Sequence, residues 1–170
     1  MPRVAFDRLP DDARLWVFTA ARTLAPAERD QLLENVDAFL DGWAAHGTPL
    51  TCAREIRYDQ FLLVAVDEHA AGASGCSIDA LTQRLRGLEQ RLGVSLLENA
   101  PVLYKDGETI RRVPRPEFAA LAERGTVTAD TIVFDNSVVT VGAVRDGTWE
   151  TPARASWHGR AYFGVARTGA

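Results

Sequence analysis

Cysteines, basic clusters and long apolar runs are what this sequence has least of. Only two cysteines occur, Cys52 and Cys76. That is too few for a disulfide framework, and in a reducing compartment both are expected as free thiols. No apolar run approaches the roughly 18 residues that a membrane-spanning helix needs. The longest, residues 61–66 (FLLVAV), has the length of a buried strand. The opening stretch MPRVAFDRLPDDARLW lacks the charged-then-apolar pattern of a secretion signal. The arginines are scattered and the formal net charge is −4, so the electrostatic footprint of a nucleic-acid binder is missing. The expectation is a cytoplasmic protein with neither a nucleic-acid nor a membrane partner.

Signatures of well-known chemistry are missing too. There is no G-x-x-x-x-G-K-[ST] phosphate loop, no C-x-x-C, no H-E-x-x-H and no G-x-S-x-G. Two cysteines and three scattered histidines do not make a zinc pattern. Asp135-Asn136 is explained by a turn better than by an oxygen-ligand metal site. No metal or cofactor is therefore expected. No internal repeat or low-complexity linker divides the chain.

What is present fits one globular domain. The chain has 170 residues, 46% of them apolar and 25% charged, enough for a full hydrophobic core. A core over about 14–105 and a C-terminal extension over about 106–170 are expected. Residues 15–20 (LWVFTA) are apolar on both faces and read as a buried central strand. Pro26 then suits the first turn of a helix. Leu32, Leu33, Val36, Phe39, Leu40 and Trp43 follow at helical spacing, and Gly47 is placed to cap the end. Residues 50–58 alternate as a strand does, Asp59-Gln60 is a turn, and 61–66 is again strand. Ile78, Leu81, Leu85, Leu88 and Leu92 mark a second helix over about 77–92, with Gly93 as its cap.

Residues 102–105 read as a strand, and Asp106-Gly107 signals a hairpin into 108–113. A short helix lies between Pro116 and Gly125. Residues 131–134 and 138–144 look like strands, and the tail after Trp149 looks irregular but anchored by Trp149 and Trp157. Up to about residue 105 the order is β-α-β-β-α-β. The fold class expected is therefore α+β, a ferredoxin-like core with a β-rich C-terminal extension.

In that topology the first and third strands run parallel, so their following loops share one end of the sheet. Open sheets often bind ligands at such an end. The first loop carries Arg22. The other carries Asp67, Glu68, His69, Gly72, Ser74, Gly75, Cys76 and Ser77, and it opens a helix. Free N–H groups and the macrodipole at such a helix start can hold an anion or favour a thiolate. Cys76 is thus the candidate nucleophile, with Asp67 or His69 as proton acceptor. Arg22, Glu68, Ser74, Gly75 and Ser77 are candidate ligand-binding residues. The plainer reading of the same residues is a helix cap: Ser77 as N-cap, glycines for the turn, and Cys76 as a small buried hydrophobe. Cys52, on an apolar alternation, reads as structural. His46, near a helix end, reads as favourable electrostatics.

The stretches W-x-x-H-G at Trp43, I-x-Y-x-x-F at Ile56, V-D-E at Val66 and S-G-C-S-I-D at Ser74 resemble those of an uncharacterised bacterial family. TVTADTIVFDN and the S-W-H at Ser156 extend the resemblance over roughly residues 14–158. Members often carry the label "ABC transporter ATPase". This chain lacks a Walker A loop and an LSGGQ-like helix start, so no ATPase activity is expected. The leading expectation is a small binding or regulatory domain. The alternatives are a thiol-dependent enzyme or redox sensor at Cys76, and phosphate or nucleotide binding at residues 72–77. A small anionic ligand and a homodimer are the partners expected.

Overall fold

The computed structural model describes residues 3–165. The chain gathers into two compact units. The first holds the described residues up to Asn99 together with Val139–Gly142; the second holds the remainder. Mixed helix and antiparallel sheet make the protein α+β. Among the described residues no helix is long and apolar enough to cross a membrane.

In the first unit β1 (Arg14–Thr19) leads to α1 (Pro26–Asp41). A miniature hairpin follows, β2 (Ala44–Ala45) and β3 (Thr48–Pro49). Then come β4 (Thr51–Arg57), β5 (Phe61–Asp67) and α2 (Gly75–Leu92). The miniature hairpin was not foreseen. His46 and Gly47 sit at φ 51° and 81°, the pair of left-handed residues that a tight two-residue turn demands. Gly47 therefore closes the hairpin rather than capping α1, whose C-cap is Gly42. Gly93 does cap α2, with φ 65°.

The sheet order is β1-β5-β4. The fully buried β5 is central, and β1 lies at its flank instead of the centre. The register pairs Arg14 with Val66 and Thr19 with Phe61, so β1 and β5 are antiparallel. The strand at Val102–Asp106 belongs to the second unit. These pairings differ from the ferredoxin-like order, in which β1 and β5 would run parallel. The physical reason lies in the connection from β1 to β4 through α1 and the miniature hairpin: it brings β4 back parallel to β1, so β5, antiparallel to β4 through the Tyr58–Asp59 turn, is antiparallel to β1 as well. Trp16, Phe18, Cys52, Ile56, Leu62 and Val64 face α1 and α2 and form the core with Val36, Leu40, Leu81 and Leu85.

The second unit holds β6 (Val102–Asp106), β7 (Thr109–Val113), α3 (Arg115–Glu123) and β8 (Ile132–Phe134). After α4 (Val141–Arg145), which begins in the first unit, come β9 (Glu150–Pro152) and α5 (Trp157–Tyr162). Its sheet order is β7-β6-β8-β9. Gly107 at φ 61° makes the β6–β7 turn, as the Asp-Gly pair forecast. Residues 138–144, expected as a strand, form a single bridge at Thr140 and the start of α4. The N–H groups of Val141 and Gly142 donate to the carbonyls of Ala13 and Asp11, which removes them from any ladder. The partner of β8 is β9 instead. The tail is more regular than expected, with α5 packed around the buried Phe118.

Candidate functional site

The loop after β5 is tied down largely by its own side chains. Asp67 Oδ1 accepts from the His69 backbone N–H at 3.1 Å and lies 2.5 Å from His69 Nδ1. His69 Nε2 is 3.1 Å from Asp12 Oδ2. Hydrogen bonding to Asp67, helped by the Asp12 charge, raises the pKa of His69. The N–H and ring of His69 in turn hold Asp67 below the usual carboxylate range. Both shifts favour the charged forms of the pair, with the His69 ring set between the carboxylates of Asp67 and Asp12.

Glu68 bends over the same loop. Its Oε2 accepts from the Ala73 N–H at 3.1 Å, and Arg14 is 3.9 Å from its other oxygen. Gly72 leaves room for this, since a Cβ there would lie 2.6 Å from Glu68 Oε2. Ser74, not Ser77, is the N-cap of α2. Ser74 Oγ accepts from the Ser77 N–H at 3.2 Å, and Ser77 Oγ accepts from the Ser74 N–H at 2.7 Å. This is a capping box built from two serines. The N–H groups of Ala73, Ser74 and Ser77 are therefore already satisfied, which leaves a phosphate only Gly75 and Cys76 among these backbone donors.

Arg22 takes no part in this loop. Antiparallel pairing puts the segment after β1 at the opposite end of the sheet from the segment after β5. There Arg22 forms a two-pronged pair with Glu28, at 2.8 and 3.1 Å. The expected meeting of Arg22 with Cys76 depended on parallel strands, and the register removes it.

The two thiols differ sharply. Cys52 is buried, its Sγ lies 3.6 Å from the Leu40 carbonyl, and burial pushes its pKa up to about 11. It is a packing residue, as the alternation implied. Cys76 is exposed on the first turn of α2, not buried as the plainer reading had it. It opens onto a cavity of about 440 Å³ between the end of α1, the β2–β3 turn and the start of α2. Phe39 and Trp43 give this cavity an aromatic wall, and His46 and Arg84 line it as well. Trp43 Nε1 donates to the Ser77 carbonyl at 2.9 Å, which pins α1 to the first turn of α2. Phe39 and Trp43 pack with ring centroids 5.7 Å apart. The Arg84 guanidinium lies 5.9 Å from the Phe39 ring, within cation–π range.

Ser74, Cys76 and Ser77 line the cavity; Asp67, Glu68, His69 and Arg22 do not, and neither does Gly75. Arg84, Phe39, Trp43 and His46 were not singled out as site residues. A signal for Arg84 existed, because Cys76, Ala80 and Arg84 recur every fourth residue and share one face of α2. His46 was hidden by the unforeseen hairpin. Among the described residues that line the cavity, Arg84 is the one fixed charge, and no carboxylate is present. Among the described residues no group of three or more histidine, cysteine or acidic side chains is arranged to hold a metal ion. Comparison of the chain with family models, curated proteins and solved structures returned no match.

Proposed function

We propose that this protein is a small binding domain whose ligand is a compact, partly aromatic anion held in the cavity between α1, the β2–β3 turn and α2. The observation that carries this reading is the cavity itself. Its volume of about 440 Å³ suits a small ligand. Phe39 and Trp43 supply a stacking wall, and Arg84 supplies a guanidinium with no competing carboxylate in the lining. Such a site selects a flat apolar body carrying one negative group. The exposed free thiol fits a reducing compartment, which supports work in the cytoplasm.

A second reading, thiol chemistry at Cys76, is favoured by the opening of this sulfur onto the same cavity. It would draw on His46 and Arg84 rather than on Asp67 and His69, whose charges are already paired with each other and with Asp12.

The test uses 2-naphthoate as probe and 2-naphthylmethylammonium as its oppositely charged control. Naphthoate is expected to raise the melting temperature and to slow alkylation of Cys76. Cys52 reacts about a hundredfold more slowly throughout, since it needs local opening. Arg84→Ala is expected to weaken naphthoate binding about tenfold, as loss of one charge-assisted contact does. Absence of both binding and protection, or equal response to the two probes, rejects the anion reading. Turnover of an electrophilic substrate that Cys76→Ala abolishes would promote the thiol reading instead.

A further inference from the structure

α1 and α2 lie side by side and run in opposite directions. Trp43 reaches Ser77, and Phe39, one turn earlier in α1, meets Arg84 almost two turns further along α2. The cavity beside Cys76 occupies one end of the seam between them. Cys76, Ala80, Arg84, Gly87 and Arg91 recur at every third or fourth residue and so share one side of α2. Cys76, Ala80 and Arg84 line the cavity, and Gly87 and Arg91 continue the same side beyond it. Over Gly42 and Gly87 the seam is open, since a Cβ at either would meet no atom within 4 Å.

Charge is distributed unevenly about this seam. Arg84 and Arg91 are exposed, and they stand about 10 Å apart along the helix axis. Among the described residues no carboxylate pairs with either of them. Arg3, Arg14, Arg22, Arg29, Arg54 and Arg57, by contrast, each lie within 3.9 Å of one. The facing side of α1 repeats Gln31, Asn35, Ala38 and Gly42, all uncharged. Glu28, at the far end of that side, is taken up by Arg22 through bonds of 2.8 and 3.1 Å. The other acids of α1, Asp30, Glu34, Asp37 and Asp41, repeat along a different side.

Two unpaired guanidiniums in line with an aromatic pocket suit an elongated acidic partner. A nucleic acid is the poorer fit. The chain carries a formal net charge of −4, and the row of acids on α1 would repel a phosphodiester backbone that ran past the seam. A short acidic stretch of protein needs no basic surface wider than the two arginines.

We propose that the ligand of the cavity is part of an acidic peptide segment of a partner protein, which lies along the seam between α1 and α2. An aromatic side chain of the segment enters the cavity against Phe39 and Trp43, and its carboxylates meet Arg84 and Arg91. This rests on the cavity binding an aromatic anion.

Fluorescence anisotropy of fluorescein-labelled acetyl-GFDEEDEG-amide with the full chain tests it. The controls are the neutral GFNQQNQG and the non-aromatic GADEEDEG, each expected to bind about tenfold more weakly. Arg91→Glu is expected to weaken the acidic aromatic peptide about tenfold. It should leave 2-naphthoate, which reaches only the cavity, binding as before, and that binding also shows that the variant has folded. If Arg91→Glu does not fold, Arg91→Gln replaces it, with about a threefold loss expected. Arg84→Ala should weaken both ligands. Naphthoate binding together with a peptide no tighter than its neutral control, or with a peptide indifferent to Arg91, overturns the proposal and leaves the cavity reading standing. Failure of naphthoate and peptide alike removes both. A short oligothymidylate that binds more tightly than the peptide and is lost in Arg91→Glu overturns the proposal in favour of a nucleic acid.

Discussion

Two aromatic clusters, one in each compact unit, show how similar residues serve different ends. In the first unit Phe39 and Trp43 stand at the end of α1 beside an open cavity, with Cys76, His46 and Arg84 in the same wall. In the second unit Phe118 is fully buried and meets Tyr104, His158, Tyr162 and Phe163 edge-on, with centroids 5.0 to 6.3 Å apart. His158 is 1% exposed and stacks on Trp157 with centroids 3.8 Å apart. Its Nδ1 lies 2.8 Å from Ser156 Oγ, and burial pushes its pKa down to about 4. The closed cluster uses its aromatics and its histidine for packing. The open one leaves polar groups beside aromatic faces, which is the condition for recognising a ligand. Composition does not separate the two; enclosure does.

The largest effect that would sharpen this contrast is on stability. Phe118→Ala is expected to cost about 4 kcal/mol, since it empties a fully buried site. Phe39→Ala, at a partly exposed wall, is expected to cost less than half of that. Urea denaturation of both variants measures it, and equal losses would mean that the first cluster is as closed as the second.

The next effect is acid sensitivity at His158. Its folded pKa lies below the ordinary histidine value, so the unfolded chain takes up a proton that the folded chain refuses. The stabilisation is full above about pH 6.5 and is lost as pH falls towards 4. It amounts to about 3 kcal/mol. His158→Phe should flatten the stability–pH curve by that amount between pH 7 and pH 4. A curve that keeps its full slope would show that the ring is not held neutral.

The smallest effect, of opposite sign, is at His69. Its folded pKa is raised by Asp67 and Asp12. Its contribution is therefore present below the unfolded pKa and lost as pH rises through the folded one. The melting difference between the unaltered chain and His69→Ala should be larger at pH 5.5 than at pH 9. The reverse order would show that the two carboxylates do not hold an imidazolium. Because His69 and Asp12 are exposed and Asp67 is only partly buried, the shift is expected to be small and to shrink with salt.

Much of the local structure was legible in the chain. The stripe from Leu32 to Trp43 and the stripe from Ile78 to Leu92 mark α1 and α2, because a helix repeats its buried face every 3.6 residues whatever surrounds it. Gly93 and the Asp106-Gly107 pair mark a cap and a turn because few residues tolerate those backbone angles. Cys76 drew attention at the start of α2, and the cavity opens at that point. The errors have local causes. Residues 138–144 carry strand-like residues, but the N–H groups of Val141 and Gly142 are taken by the carbonyls of Ala13 and Asp11. Gly47 was free to serve as a cap or as a turn, and the turn took it.

By itself, then, the sequence determined the positions of the main helices and strands and the burial of Cys52, while the cap of α2 fell on Ser74 and not on the expected Ser77. Only the tertiary structure decided that β1 and β5 run antiparallel, which removes Arg22 from the site. It also decided that Asp67 and His69 are occupied with each other and that Arg84, Phe39, Trp43 and His46 share a cavity with Cys76. The physical reason is range. Periodicity, capping and turn chemistry act over a few residues. Strand direction and the company a side chain keeps depend on contacts between segments tens of residues apart, and no short stretch of sequence records them.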